Sequence, residues 1–211
     1  TPTTAEAAIV HARVAQAAYE DRHRRLLKLW TGGPGACEVR IGTLCYWNNN
    51  LDEPPPPERP AVAPERDRLL ATLAADAALA PTNGWIVGQR VRYQIEAGRP
   101  DSALAIATRC RASAWWCTAL RGFVLHTTER YVPALAAFDS AVALLPPAER
   151  CQWEDVSLWL EPKARERWTA AGCGTPARAA LARRLWTLGS PLLTRGPDDL
   201  RSEWHARQVV A

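Results

Sequence analysis

Apolar residues recur at every third or fourth position through the first thirty residues of the chain. Ile9, Val14 and Leu26 belong to this series, and their spacing predicts one amphipathic helix. Thr4 is placed to cap its start, and the helix is expected to reach Trp30. A Gly-Gly-Pro-Gly run at 32–35 follows and ends the helix. Residues 1–35 are therefore predicted to be a long N-terminal helix.

Residues 36–64 lose this helical period. A short apolar stretch runs from Cys37 to Trp47, and three asparagines and then four prolines (Pro54 to Pro57) follow it. Consecutive prolines adopt the extended polyproline II conformation. This segment is predicted to be a non-helical, Cys/Pro-rich strap or linker, with no core of its own.

The helical period returns beyond the prolines in stretches separated by Gly, Pro and charged turns. The predicted helices cover 65–79, 85–97, 101–112, with Asp101 as its cap, 115–127 and 131–145. Residues 148–174 are less regular. Thr175-Pro176 predicts the start of a helix to about residue 188, and a last helix begins near Pro197. The fold class is all-α, with segments at 65–147 and 148–211, the second a Trp-rich helical cap.

The chain matches itself when it is shifted by 31 residues. Trp85 then falls on Trp116, Ala103 on Ala134, and Ala107 on Phe138. A period in the low thirties with two helices per unit is typical of helical repeats. An antiparallel helix bundle with a chance internal match is the alternative.

The second copy resembles a tetratricopeptide repeat. The residues that carry the resemblance are Gly122, Tyr131, Ala134, Phe138, Ala141 and Pro146. The first copy keeps Gly98, Ala103 and Ala107 but has Cys110 at the later small position and lacks the closing proline. Leu69, Leu73 and Pro81 look like half of an earlier copy. The resemblance implies a short α-solenoid of stacked hairpins whose first helices line a concave surface.

A second resemblance rests on the C-terminal tryptophans. The runs Leu185-Trp186-Thr187-Leu188, Ser190-Pro191-Leu192 and Glu203-Trp204-His205-Ala206-Arg207 look like the Trp-rich helical region of secreted bacterial proteins that carry a GWxTD domain. The GWxTD motif itself is absent from this chain. The Trp-rich region of those proteins has no firm function that could be transferred to this chain.

Composition narrows the class of protein. The chain is 47% hydrophobic and 23% charged, which is typical of a globular fold. Its net charge of +4 is carried almost entirely by arginines spread from Arg13 to Arg207, whereas a nucleic-acid binder concentrates its charge on one face. No apolar run reaches the ~18 residues that would span a bilayer. Neither nucleic acid nor a transmembrane segment is expected.

Six cysteines in 211 residues favour an oxidising compartment. The chain has no methionine and begins at Thr1, which predicts a mature chain after removal of a signal peptide. The expected location is extracellular or periplasmic.

Local spacing favours three disulfides. The expected pairs are Cys37–Cys45, Cys110–Cys117 and Cys151–Cys173. In one continuous helix two Cα atoms seven residues apart are about 10 Å apart, too far for a bridge. Cys110 and Cys117 can therefore pair only if the helix breaks between them. Zinc sites use short C-x₂₋₄-C pairs, which the sequence lacks, so no metal or cofactor is expected.

A search for catalytic motifs finds none. The sequence has no G-x-S-x-G elbow, no H-E-x-x-H, no phosphate loop and no dinucleotide fingerprint. The chain is predicted not to be an enzyme. An enzyme of unfamiliar type would need a catalytic set that the sequence does not reveal.

The repeat interpretation instead points to a partner-binding groove. Its candidate residues are Trp85, Arg92, Glu96, Trp116, Phe123 and His126. A place in the core is slightly favoured over the groove for the two tryptophans, and a lone helical histidine such as His126 is more often structural or solvated. The expected function is a non-enzymatic extracytoplasmic structural or protein-interaction scaffold that assembles with copies of itself into an oligomer or fibre. The alternative is an adaptor or chaperone-like subunit that binds a partner peptide in the groove.

Overall fold

The computed structural model describes residues 2–31, 39–41, 44–46, 60–189 and 198–210. The described residues are helical except for one short hairpin and the turns, which confirms the all-α class. The chain divides into two compact units, one ending at Ala80 and the other beginning at Pro81. The segment boundaries at 35, 64 and 147 stay predictions.

The first unit pairs two long helices. Helix α1 spans Ala5–Thr31 and α2 spans Val62–Leu79, and the two pack together. The Thr4 hydroxyl accepts a hydrogen bond from the N–H of Ala7 at 3.2 Å, as the predicted cap requires. The shared apolar faces are buried at Ala8, Ala12, Tyr19, Leu69, Leu70 and Leu73.

Two parts of the predicted strap at 36–64 are described: a hairpin of two three-residue strands and residues 60–64. The prediction that the strap is non-helical up to 64 is wrong, because α2 already begins at Val62. Strand β1 (Val39–Ile41) pairs antiparallel with β2 (Leu44–Tyr46), with Arg40 opposite Cys45. The predicted Cys37–Cys45 bridge and the run of four prolines lie outside the described residues. The strap as a whole stays a prediction.

Two helix pairs open the second unit. Helices α3 (Gly84–Glu96) and α4 (Pro100–Thr108) form the first pair, and α5 (Ala114–Thr127) and α6 (Tyr131–Ala143) form the second. Helix α5 packs on α3, α4 and α6. They share one buried cluster, formed by Val87, Val91, Ala103, Ala107, Leu120, Phe123, Val124, Ala134 and Phe138.

Helix α4 differs from the prediction at both ends. It begins with Pro100 as its first residue, so Asp101 lies in the first turn and is not the cap. A proline suits this position because its fixed φ matches the helix and its missing N–H is not needed there. The helix ends at Thr108 rather than at Ala112. This early end provides the break that lets Cys110 bond to Cys117, with Cα atoms 5.6 Å apart.

The turns inside the two helix pairs have the same backbone structure. Gly98 ends the first helix of one pair with φ of 68°, and Glu129 ends that of the other with φ of 59°. In each turn this residue donates to the carbonyl three residues back, and the next residue donates to the carbonyl five residues back. That is the Schellman arrangement, which satisfies carbonyls left over at a helix end. Gly98 and Glu129 are 31 residues apart, like the sequence matches.

Four more helices follow: α7 (Pro147–Trp153), α8 (Pro162–Ala170), α9 (Pro176–Gly189) and α10 (Asp198–Val210). Residues 148–174 are thus more helical than predicted. Thr175 caps α9 by accepting from the N–H of Arg178 at 3.1 Å, as predicted. Cys151 of α7 is bonded to Cys173 just before α9, the second predicted pair that is present. Helix α10 contacts α3, α5, α6 and α9.

None of the helices in the described ranges is long and apolar enough to cross a membrane.

Candidate functional site

The candidate site is the face of the two helix pairs on which α10 lies. Ala206 of α10 belongs to the same buried cluster as Val87 of α3 and Phe123 of α5, and Val209 packs against that cluster. Small side chains let helices approach closely. The chain's own C-terminal helix therefore covers part of the surface formed by the first helices of the two pairs.

His126 is the polar anchor of this interface. Its Nε2 lies 2.7 Å from Oε2 of Glu203, and its Nδ1 lies 2.9 Å from Oγ of Ser202. A carboxylate only accepts hydrogen bonds, so Nε2 donates; in the neutral ring Nδ1 then accepts from the Ser202 hydroxyl. Ser202 is fully buried. One histidine of α5 thus satisfies two consecutive polar residues of α10.

Glu203 is held in its ionised form. Burial alone would raise its pKa, but hydrogen bonds from Arg207 and His126 outweigh burial, so the pKa of Glu203 lies below its ordinary value. Arg207 donates to the other carboxylate oxygen at 2.6 Å. At neutral pH His126 therefore faces a full negative charge.

A second contact row joins α10 to α6 and α7. Arg201 forms an ion pair with Asp139 of α6. The ring of His205 lies 5.3 Å from that of Phe138, and its Nδ1 accepts from the indole N–H of Trp153 at 2.9 Å. Because His205 is only 2% exposed, these contacts replace water on nearly its whole surface.

Five of the six predicted groove residues separate into three groups. Phe123 and His126 lie at the α10 interface. Trp116 lies at the α3 interface, where its indole N–H donates to the carbonyl of Gly84 at 2.7 Å. Arg92 donates to Glu96 one turn further along α3 at 2.8 Å.

Trp85 lies in the first turn of α3 and is partly buried. It occupies the position of α3 that corresponds by sequence to Trp116 of α5. In the structure Trp85 is the second residue of α3, whereas Trp116 is the third residue of α5.

Gly84 and Gly88 explain how Trp116 fits between α3 and α5. A Cβ at Gly84 would lie 3.0 Å from the indole, and one at Gly88 would lie 2.9 Å from it. Any larger side chain would force the ring away from α3. The two glycines of α3 thus form the seat of the tryptophan.

The residues of α10 were the part of this site that sequence reasoning did not single out. Ser202, His205, Ala206 and Val209 follow the spacing of one helical face. That pattern was a usable signal for a buried stripe. It did not reveal that α5 and α6 are the elements that the stripe contacts.

No protein-family model, curated protein or solved structure matches this chain.

Proposed function

We propose that this chain is a non-enzymatic extracytoplasmic scaffold whose tetratricopeptide-like helix pairs bind an amphipathic helix. In its self-assembling form, the α10 helix of one copy binds the α5–α6 face of another. The observation that carries the proposal is how α10 is held. A buried stripe of small residues packs α10 against the helix pairs, and one histidine of α5, His126, bonds to two residues of α10.

The repeat arrangement is supported by the two matched turns. Gly98 and Glu129 have the same left-handed backbone and the same pair of carbonyl acceptors. Gly122 supports it as well, since a Cβ there would lie 2.8 Å from the ring of Phe138. Small residues at such a close approach, opposite an aromatic ring, are what stacked helical hairpins need.

The extracytoplasmic location is supported by the two disulfides. Cys110–Cys117 joins the end of one helix pair to the start of the next, and Cys151–Cys173 joins α7 to the residues that precede α9. Structural disulfides form and persist in oxidising compartments.

Exchange of α10 between copies is supported by the distance in sequence between α10 and the helices that it contacts. Residues 190–197 separate α9 from α10, and the contacts of α10 to α5 and α6 are all long-range in sequence. An element that packs through long-range contacts can make the same contacts with a second copy, as in domain swapping. Repetition of this head-to-tail contact would give an open chain of subunits.

Light scattering of the full chain across a wide concentration range tests the self-assembling form. The mass is expected to rise with concentration. The His126→Ala variant should speed the approach to that equilibrium, because it removes both polar anchors that hold α10 before exchange, while the closed and the exchanged copies lose the same contacts and keep their balance. His23→Ala, a histidine of the other unit, is the matched control and should behave like the parent chain.

A labelled peptide of residues 198–211 separates the two versions of the proposal. It should bind the full chain by exchange with α10, and a peptide carrying Ala206→Arg should not. Peptide binding without any rise in mass would favour the adaptor alternative, in which a partner supplies the helix. A chain that stays monomeric and ignores the peptide would refute both.

A further inference from the structure

A second feature of the same unit is a cavity of about 420 Å³ among α7, α8, α9 and α10. A volume of this size is in the range of small-molecule sites and far above that of a single water. Four arginines line it: Arg150, Arg178, Arg183 and Arg201. Three tryptophans and the Cys151–Cys173 bridge form much of the remaining wall.

Three buried donors in this wall have no acceptor among the described residues. They are Nε of Arg150, Nε1 of Trp204 and Nε2 of His205. Nδ1 of His205 accepts from Trp153, so Nε2 carries the proton and is a donor. Trp204 is 7% exposed and His205 is 2% exposed, so water does not freely replace the missing partners. These three atoms are shielded from a water-sized probe, so they lie behind the cavity surface and a ligand in the cavity does not reach them.

The charged groups of the wall point to an anionic occupant. Arg178 lies 3.3 Å from Asp155, and Arg201 is paired with Asp139. Glu154 is the one carboxylate among the cavity-lining residues in the described ranges. The four lining arginines are therefore balanced by three carboxylates: Glu154 in the wall, and the ion-pair partners Asp155 and Asp139. Burial lowers the pKa of His205 to about 3, with the charge of Arg201 acting in the same direction, so this ring stays a neutral donor at physiological pH.

Arg150 and Arg183 supply the positive charge that these carboxylates do not pair with directly. Arg150 donates to the carbonyls of Ala143 and Leu145 at 3.0 and 3.2 Å, which are neutral acceptors. Arg183 is exposed on α9 and has no ion pair within the described part of the chain. Both guanidinium groups can take up a negative ligand without breaking an existing ion pair.

The tryptophans add an apolar wall. Trp204 is held edge-on by Trp159, with ring centroids 4.4 Å apart, and Trp186 packs against the same cluster. Trp168 is covered by the guanidinium of Arg178 at 3.5 Å. Its indole N–H donates to Asp155 at 2.8 Å, which fixes the ring. Aromatic walls with a few donors are the usual composition of a site for a small organic ligand.

We propose that this cavity binds a small organic anion, an apolar or aromatic body that carries a carboxylate or phosphate group. The oxyanion lies beside Arg183, the exposed lining arginine, and Arg150 adds positive charge to the wall. The body lies against Trp186 and Trp204. This site shares Arg201, Trp204 and His205 of α10 with the packing of α10 on its neighbouring helices, but its ligand need not be a protein.

Calorimetric titration of the full chain with four probes tests the proposal. Phenylacetate and phenyl phosphate present the two oxyanions on an aromatic body, inorganic phosphate presents the oxyanion alone, and 2-phenylethanol presents the body alone. At least one of the two aromatic anions is expected to bind saturably, and the tighter one identifies the oxyanion. Inorganic phosphate and the alcohol should bind at least tenfold more weakly, because the first lacks the aromatic body and the second lacks the oxyanion.

Substitutions test whether any binding occurs in this cavity. Arg183→Gln should weaken binding of the aromatic anion by roughly tenfold through loss of charge, and Trp204→Phe should weaken it by a smaller factor because the aromatic wall becomes smaller. Arg184→Gln, an exposed neighbour on α9 outside the cavity, is the matched control and should leave the affinity unchanged. The indole N–H signal of Trp204 in a ¹H–¹⁵N spectrum should move on saturation.

Four results would overturn the proposal. They are the absence of saturable binding by both aromatic anions, equal binding of the neutral alcohol, equal binding of inorganic phosphate, and equal losses in Arg183→Gln and Arg184→Gln. Arg183 is exposed, so its replacement is not expected to unfold the chain, and the test stands even if Trp204→Phe folds poorly.

Discussion

Gly98 and Glu129 occupy the same place in two turns of identical hydrogen bonding, and they predict opposite effects of substitution. Both have a left-handed backbone, with φ of 68° and 59°. This conformation costs a residue with a Cβ about 1–2 kcal/mol, whereas glycine adopts it freely. Glu129 therefore carries a strain that Gly98 does not.

The magnitude follows from two opposing terms. Glu129→Gly removes about 1–2 kcal/mol of backbone strain but gives the unfolded chain extra freedom worth about 0.4–1 kcal/mol. The net expectation is a gain of roughly 0.5–1 kcal/mol in the free energy of unfolding. Gly98→Ala should lose a similar amount. A Cβ at Gly98 meets nothing within 4 Å, so no packing term complicates this loss.

Urea unfolding of the oxidised protein, followed by tryptophan fluorescence, measures both changes. Eight of the ten tryptophans belong to the unit that begins at Pro81, so this signal reports mainly on it. For a unit of this size the changes correspond to shifts of roughly 2–6 °C in Tm. The reasoning is refuted if Glu129→Gly destabilises the unit, or if Gly98→Ala leaves it unchanged. Glu129 is exposed, so loss of its side chain offers no competing explanation.

Three further changes test other parts of the structure. Serine at both Cys151 and Cys173, which are 22 residues apart, should lower the free energy of unfolding by about 3 kcal/mol in urea, and reducing agent should then have less effect than on the parent chain. His205 has a pKa of about 3 in the fold and an ordinary value of 6.5, so the unfolded chain binds the proton first as pH falls. Stability should therefore fall between pH 6.5 and 3, by at most about 1.4 kcal/mol per pH unit, and His205→Asn should flatten that slope in urea titrations. His11→Ala takes away the imidazole that lies 2.9 Å from the 1%-exposed carboxylate of Asp76. It should cost about 1–3 kcal/mol and speed amide hydrogen exchange in α2, whereas unchanged exchange there would contradict this assignment.

The local features of the fold were predictable because neighbouring residues determine them. The Thr4 and Thr175 caps are formed as predicted, since a hydroxyl before a helix finds the same free N–H groups in any fold. Local spacing predicted the Cys110–Cys117 pair, and helix geometry required a break between the two residues, which the structure contains. The early end of α4 at Thr108 was missed because Arg109, Arg111 and Ala112 are all compatible with a helix.

The surface on which α10 packs was not predictable in the same way. Periodicity can show which face of a helix is apolar, but a stripe of Ser202, Ala206 and Val209 fits many surfaces. The residues that bond to His126 are 76 and 77 positions away. Only packing in three dimensions selects among such long-range pairs. The cavity was hidden for the same reason, because its arginines come from α7, α9 and α10 and show no motif in the sequence.

Helix α10 connects the two apolar clusters of the second unit. Ala206 lies in the cluster of the helix pairs, and Trp204 lies in the cluster with Val156 and Trp168. Consecutive residues of a helix point in different directions, so a single helix can complete both clusters at once. A change that loosens α10 at His126 therefore also opens the wall formed by Trp204 and His205. Stability measured at either cluster should accordingly respond to substitutions at the other, and the two sets of effects should not be additive.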